Sequence, residues 1–162
     1  MDPRVVRPDE AHQVRLNDVV FDYGLKAADT DGQLSMLQVT IPPNTLIKPH
    51  MHGREDEFTL ILSGTVGARM GVSTTEEIPA GSWLAKPRGN PHAMFHVTDE
   101  PARVLEVVLP GGLEGYFEAI APVLENHGPE WTEQYYALAA AHGLEILDDW
   151  SNELKIKYGI TL

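Results

Sequence analysis

The chain contains no cysteine. Disulfide frameworks, thiolate nucleophiles and cysteine-ligated zinc are therefore excluded together. It also has no apolar run approaching the roughly 20 residues that cross a bilayer. The longest runs, Val104-Leu105 and Val107-Val108-Leu109, are interrupted by Glu106 and sized for strands. Basic residues are scarce, 12 Lys and Arg against 24 Asp and Glu, for a formal net charge of −12. A surface of that sign repels phosphate backbones and anionic lipid, so neither nucleic acid nor a membrane is an expected partner. The opening Met1-Asp2-Pro3-Arg4 lacks an apolar core and a small-residue cleavage site. No secretory leader is expected, and the expectation is a soluble cytoplasmic protein. At 162 residues the chain fits one domain and can bury a core without staples.

Three zones differ in texture. Residues 1–30 are polar and weakly patterned, with a short strand expected at Val19-Val20-Phe21. They read as an arm packed on the domain or on a second subunit. Residues 31–110 are β in texture. Short runs rich in Val, Ile, Leu and Thr recur at 34–41, 58–62, 65–70, 82–86, 92–97 and 103–109. Turn signals separate them, such as Ser63-Gly64 and Pro79-Ala80-Gly81, the pattern of an all-β sandwich or barrel. After Pro110-Gly111-Gly112 the period changes. Leu113, Tyr116, Phe117, Ile120, Ala121 and Leu124 recur at helical spacing. A second helix is expected over 131–141, with Pro129 at its start and Gly143 as its stop, and a third over 152–158. Residues 111–162 thus read as a helical extension of the same domain, since each helix has one apolar face to bury.

The chemistry concentrates in a few polar residues of the β zone. Residues i and i+2 of a strand share a face, with Cα atoms about 6.6 Å apart. His50 and His52 therefore point the same way, and Glu57 follows a short bend at Gly53-Arg54. His92 opens a later strand, with Pro49 and Pro91 restricting the backbone just before His50 and His92. Three neutral imidazoles and a carboxylate can hold one divalent transition metal, Fe, Ni, Mn, Co or Zn, and leave coordination positions open. Glu55 shares the parity of Glu57 if the strand begins early, so either carboxylate can serve; Glu57 leads directly into the apolar strand. Asp56 is expected to face solvent, as are His12, His127 and His142, while Trp131, Tyr135 and Tyr136 read as helix packing. On the parities of Glu57 and His92, Thr59, Ile61 and Met94 face inward. They make a partly apolar pocket without basic residues.

The block His50-Met51-His52-Gly53-Arg54-Glu55-Asp56-Glu57-Phe58 through Gly64 resembles the first motif of the cupin family, and Gly81 through His92, with Pro87 and Gly89, resembles the second. The resemblance covers 50–96 and, with flanking strands, 34–109. It implies a double-stranded β-helix (jelly-roll) barrel with a C-terminal helical extension, and His50, His52, Glu57 and His92 as ligands of one internal metal ion. One position departs: the family pattern ends in Asn, and here His96 stands there. Two pleats separate His92 from His96, about 13 Å along a strand. His96 is therefore expected to fill the barrel's inner wall or to hydrogen-bond to a neighbouring strand, rather than to serve as a fifth ligand.

A softer similarity points to one branch. Arg54-Glu55-Asp56-Glu57, the run from Leu109 to Phe117, and Ala140-Ala141-His142-Gly143-Leu144 are similar to quercetinase-type dioxygenases. This implies a metal-dependent dioxygenase acting on a small aromatic or enolisable substrate, flavonol- or catechol-like, with Glu57 as both ligand and base. The alternatives are a Lewis-acid isomerase or cyclase of a carbonyl substrate, and a non-enzymatic cupin that binds a small molecule. A homodimer is expected, because small barrels present edge strands that need covering.

Overall fold

The structure, a computed structural model, describes residues 3–71 and 75–160; the first two residues of the arm and the last two of the helical extension lie outside them. Among the described residues, eleven strands and three α-helices run in the order β1 (His12–Leu16), β2 (Val19–Leu25), β3 (Ser35–Ile41), β4 (Thr45–His52), β5 (Asp56–Ser63), β6 (Thr65–Met70), β7 (Glu76–Pro79), β8 (Trp83–Lys86), β9 (His92–His96), β10 (Ala102–Leu109), α1 (Glu114–Asn126), α2 (Trp131–Ala141), β11 (Leu144–Ile146) and α3 (Asp148–Tyr158). The strands form two antiparallel sheets, one in the order β1-β2-β3-β10-β5-β8 and the other β11-β4-β9-β6-β7. This is the expected β barrel with helices at its C-terminal end.

Alternation of side chains builds the interior. Leu37, Val39 and Ile41 on β3 and Ala102, Val104 and Val108 on β10 are buried, while their neighbours in sequence are not. Each fully buried aliphatic side chain contributes about 1.5–3 kcal/mol. The strand β9 breaks the alternation, being buried at all five positions. His92, Met94 and His96 face one way. Ala93 and Phe95 face the other and join Leu154 and Ile160 in a second, smaller core under α3. Room for Phe95 comes from Gly67 on the neighbouring strand, where a Cβ would stand 2.1 Å from the Phe95 ring.

The arm is more ordered than its sequence texture suggests. β1 and β2 form a hairpin that pairs with β3 of the same chain, Phe21 opposite Val39 and Val20 opposite Thr40. Alternating Val19, Phe21 and Tyr23 supply its buried face. The helices are fastened to the barrel by polar anchors. Glu114, buried at the start of α1, accepts from the Ala27 amide at 2.7 Å and from the Ser35 hydroxyl at 2.6 Å. Gly111 allows the approach: a Cβ there would meet the Leu34 carbonyl carbon and oxygen at 2.7 Å. At the other end, Gly53 donates to the Gly143 carbonyl and Arg54 to the Ala141 carbonyl, tying the β4–β5 turn to the end of α2. α3 begins at Asp148, earlier than the expected 152. β11, which the sequence did not suggest, adds Leu144 opposite His52 and Ile146 opposite His50.

Candidate metal centre

Two local features of β4 aim its histidines. Pairing with β9 runs from Ile47 opposite Met94 to His50 opposite His92, so β4 carries one extra residue between them. Pro49 sits in this bulge, where its missing N–H costs no ladder bond. The extra residue reverses parity, so that His50 and His52 turn into the barrel. There they meet His92 from β9 and Glu57 from β5.

One ligand atom from each of these four residues lies within 4.8 Å of the others. His50 Nε2 stands 3.0 Å from His52 Nε2. Glu57 Oε2 lies 3.5 Å from His52 Nε2 and 3.2 Å from His92 Nε2. Behind the rings, His50 Nδ1 donates to the Lys48 carbonyl at 2.6 Å and His92 Nδ1 to the Asn90 carbonyl at 3.2 Å. His52 Nδ1 faces Glu55 Oε2 at 3.4 Å. An imidazole whose Nδ1 carries the proton presents a lone pair at Nε2. Lone pairs 3.0 Å apart repel unless an electron-poor atom lies between them. His92 Nε2 is moreover buried without a hydrogen-bond partner. Three nitrogen donors, a carboxylate oxygen and the anchored outer edges of His50 and His92 fit a divalent transition metal.

Burial lowers the His50 imidazole well below the ordinary range, and the nearby His92 and His52 add to the effect. Burial likewise lowers His92. Burial alone would raise Glu57, but the Lys86 ammonium and the His52 and His92 imidazoles outweigh it, holding the carboxyl well below the usual carboxylate range. His50 and His92 are thus held neutral and Glu57 ionised, the protonation states a metal requires.

Residues to which the sequence reading gave no role complete the site. Lys86, opposite Glu57 in the β5–β8 register, is 3 % exposed, with Nζ 3.0 Å from Glu57 Oε2. Its Nζ also donates to both oxygens of Glu106 at 3.1 Å, and Thr59 donates to Glu106 Oε2 at 2.8 Å. Burial and the Glu57 charge push Glu106 up to about 7 despite Lys86. The expectation of a wall without basic residues is thereby corrected. The sequence did hold a sign of it, since Lys86 shares the parity of buried Leu84, and Glu106 that of Val104 and Val108.

The group opens on a cavity of about 860 Å3. Its polar residues include His50, His52, Glu57, Lys86, His92 and Glu106, and its apolar walls include Phe21, Val39, Met94, Phe117, Ile120 and Tyr135. Of the four expected pocket residues, Met94 lines this cavity and the other three do not. Thr59 is fully buried against Glu106, and Ile61 packs in the core. His96 is turned to the far end of β9, its Nδ1 2.9 Å from the Thr65 carbonyl and its Nε2 2.5 Å from the Glu100 carbonyl. Glu55 stands on the outer edge of His52, away from the four-residue group. Asp56 faces outward and pairs with Arg88, whose hydrogen bonds hold it at about 2. His12 is exposed near Glu118, and His142 packs on the Tyr116 ring. His127 is exposed as expected and, with Trp131, also lines the cavity's helical wall, their ring centroids 4.9 Å apart.

Comparison with known proteins agrees with this fold. Residues 37–108 match the cupin domain family. Germin-like protein 9-2 of Oryza sativa subsp. japonica is 29% identical over 76 residues, 44% of this chain and 36% of that protein. The match thus spans about a third of that relative's length. A predicted oxalate decarboxylase from Thermotoga maritima superposes with a TM-score of 0.61 at 20% identity, covering 66% of this chain and 99% of that one. KdgF from Halomonas sp. gives 0.62 at 12% identity, covering 70% and 99%. At these identities the structural likeness is one of fold.

Proposed function

From the premise that residues 37–108 are a cupin domain, we propose that the protein is a metal-dependent dioxygenase of a small aromatic or enolisable substrate, flavonol- or catechol-like, bound at a centre of three histidines and Glu57. One observation carries this: the ligand atoms of His50, His52, Glu57 and His92 converge, within 4.8 Å, at the polar end of a large and mainly apolar cavity. Cavities of about 300–1,000 Å3 suit whole small molecules. Oxalate, named in the Thermotoga relative, has no apolar part and would leave walls such as Phe21, Phe117 and Ile120 uncovered. A ring system with adjacent oxygens would cover them while its oxygens reach the polar end.

A bound divalent transition metal supplies a Lewis-acid or redox centre with open positions. The chain's residues supply the rest. Glu57, kept ionised, stands where a substrate hydroxyl brought beside His92 loses its proton, within hydrogen-bond reach of the carboxylate oxygen. Lys86 faces that same oxygen and keeps the carboxylate from swinging away. The helices α1 and α2 wall off the cavity and limit water around the reacting oxygens.

The test is oxygen uptake by protein loaded in turn with Fe, Ni, Mn and Co, against a panel of flavonols and catechols. Uptake with at least one pairing is expected. Its absence from every pairing, together with turnover of an enolisable carbonyl compound by zinc-loaded protein, replaces this reading with a Lewis-acid isomerase or cyclase. Binding of the panel without turnover leaves a small-molecule-binding cupin. Self-association belongs to the same proposal: Phe58, Leu62 and Trp83 are exposed on the outer face of one sheet, and sedimentation as a monomer at micromolar concentration removes it.

A further inference from the structure

Lys86 is shared between two buried carboxylates, with side-chain exposures of 3% for Lys86, 7% for Glu57 and 6% for Glu106. The Glu57 oxygen that meets Lys86 at 3.0 Å is the one that faces His52 and His92. Lys86 and a metal ion therefore draw on a single oxygen atom. A buried ammonium will not go unpaired, so whatever else holds Lys86 decides how firmly it holds Glu57. Glu106 presents both of its oxygens to Lys86, and Thr59 fixes one of them. The register explains the arrangement: Glu57 lies opposite Lys86, and Glu106 opposite Thr59 one pleat away.

Resting on the metal reading above, we propose that Glu106 is a positioning residue: it holds the Lys86 ammonium so that Glu57 Oε2 remains available as a metal ligand. Charge makes the same point. Two carboxylates, one ammonium and a divalent ion leave one net positive charge in the buried group. Without the Glu106 carboxylate there are two, and the ammonium, left with Glu57 alone, competes fully with the ion. Removing Lys86 and Glu106 together restores the single net charge and frees the same oxygen. Replacing a buried ion pair with neutral groups of similar size is often tolerated by the fold.

The experiment is titration of metal-free protein with Co(II) at pH 8, followed by the ligand-field spectrum, for the wild type, Glu106→Gln, Lys86→Met and the double variant, with melting curves to establish folding. Glu106→Gln is expected to bind Co(II) at least about tenfold more weakly, the scale of outer partners of metal ligands. The double variant is expected to recover most of that loss, which a merely structural role for the pair would not produce. An unchanged affinity in Glu106→Gln, or a double variant as weak as the single one, overturns the proposal. If Glu106→Gln does not fold, Lys86→Met decides: binding at least as tight as the wild type supports the proposal, and markedly weaker binding overturns it. Failure of the wild type itself to bind Co(II) overturns the metal reading first.

Discussion

Glu55 Oε2 lies 3.4 Å from Nδ1 of His52, on the ring edge opposite the Nε2 that faces Glu57. Two acidic residues two positions apart in sequence thus address the two nitrogens of one imidazole. On the proposed metal reading, Glu55 orients the ring and Glu57 joins the ligand set. Glu55→Ala is expected to weaken metal binding about 10- to 100-fold while the protein stays folded. Glu55→Gln, which keeps an acceptor oxygen, should lose less. Equal affinity in all three proteins, measured by competition with a chromophoric chelator, would contradict this role.

The buried titratable groups set a pH dependence for the metal-free protein. In the unfolded chain His50 and His92 protonate near pH 6.5, whereas burial holds both lower in the folded state. Their contribution to stability is present above about pH 6.5 and is lost as the pH falls. Glu106, raised to about 7, acts in the opposite sense. Its contribution is present below the unfolded carboxyl value and is lost as the pH rises through about 7. Two histidines outweigh one carboxyl, so the melting temperature should fall between pH 7 and pH 5. In Glu106→Gln the fall should be steeper. A melting temperature that stays level or rises over that interval rejects this balance.

Period and spacing made much of the scaffold legible. Alternation in 34–41 and 103–109 anticipates β3 and β10, and the i, i+3, i+4 series from Leu113 anticipates α1. His50 and His52 share a face because they are two residues apart. What brings that face inward is the bulge at Pro49, a feature of pairing with β9 rather than of local sequence. Strand β11 was invisible because three residues carry no period; its partner is β4, more than 90 residues earlier. The β1–β2 hairpin was half read, since Gln13, Arg15 and Asp22 mask the buried alternation of Val14, Phe21 and Tyr23. Lys86 and Glu106 escaped for a plainer reason. A charged side chain at a core parity is read as an exposed one until its buried partner is known, and these two are each other's partner.

Gly67 and Phe95 give a test of the packing. Gly67→Ala would place a methyl carbon 2.1 Å from the Phe95 ring, which also packs on Tyr158 at 4.3 Å between centroids. Overpacking of this kind costs about 1–3 kcal/mol. Urea unfolding should show that loss, and adding Phe95→Leu should recover part of it. A fully stable Gly67→Ala would mean that β6 and β9 sit farther apart than described.

The central claim is that four side chains from three strands, His50 and His52 on β4, Glu57 on β5 and His92 on β9, hold one cation. The most direct measurement is elemental analysis of protein purified without chelator and, separately, after reconstitution. About one transition metal ion per chain is expected for the wild type, with His50→Ala and His92→Ala losing it while remaining folded. Reconstituted wild-type protein holding less than about a tenth of an ion per chain, or alanine variants that keep theirs, would contradict the account.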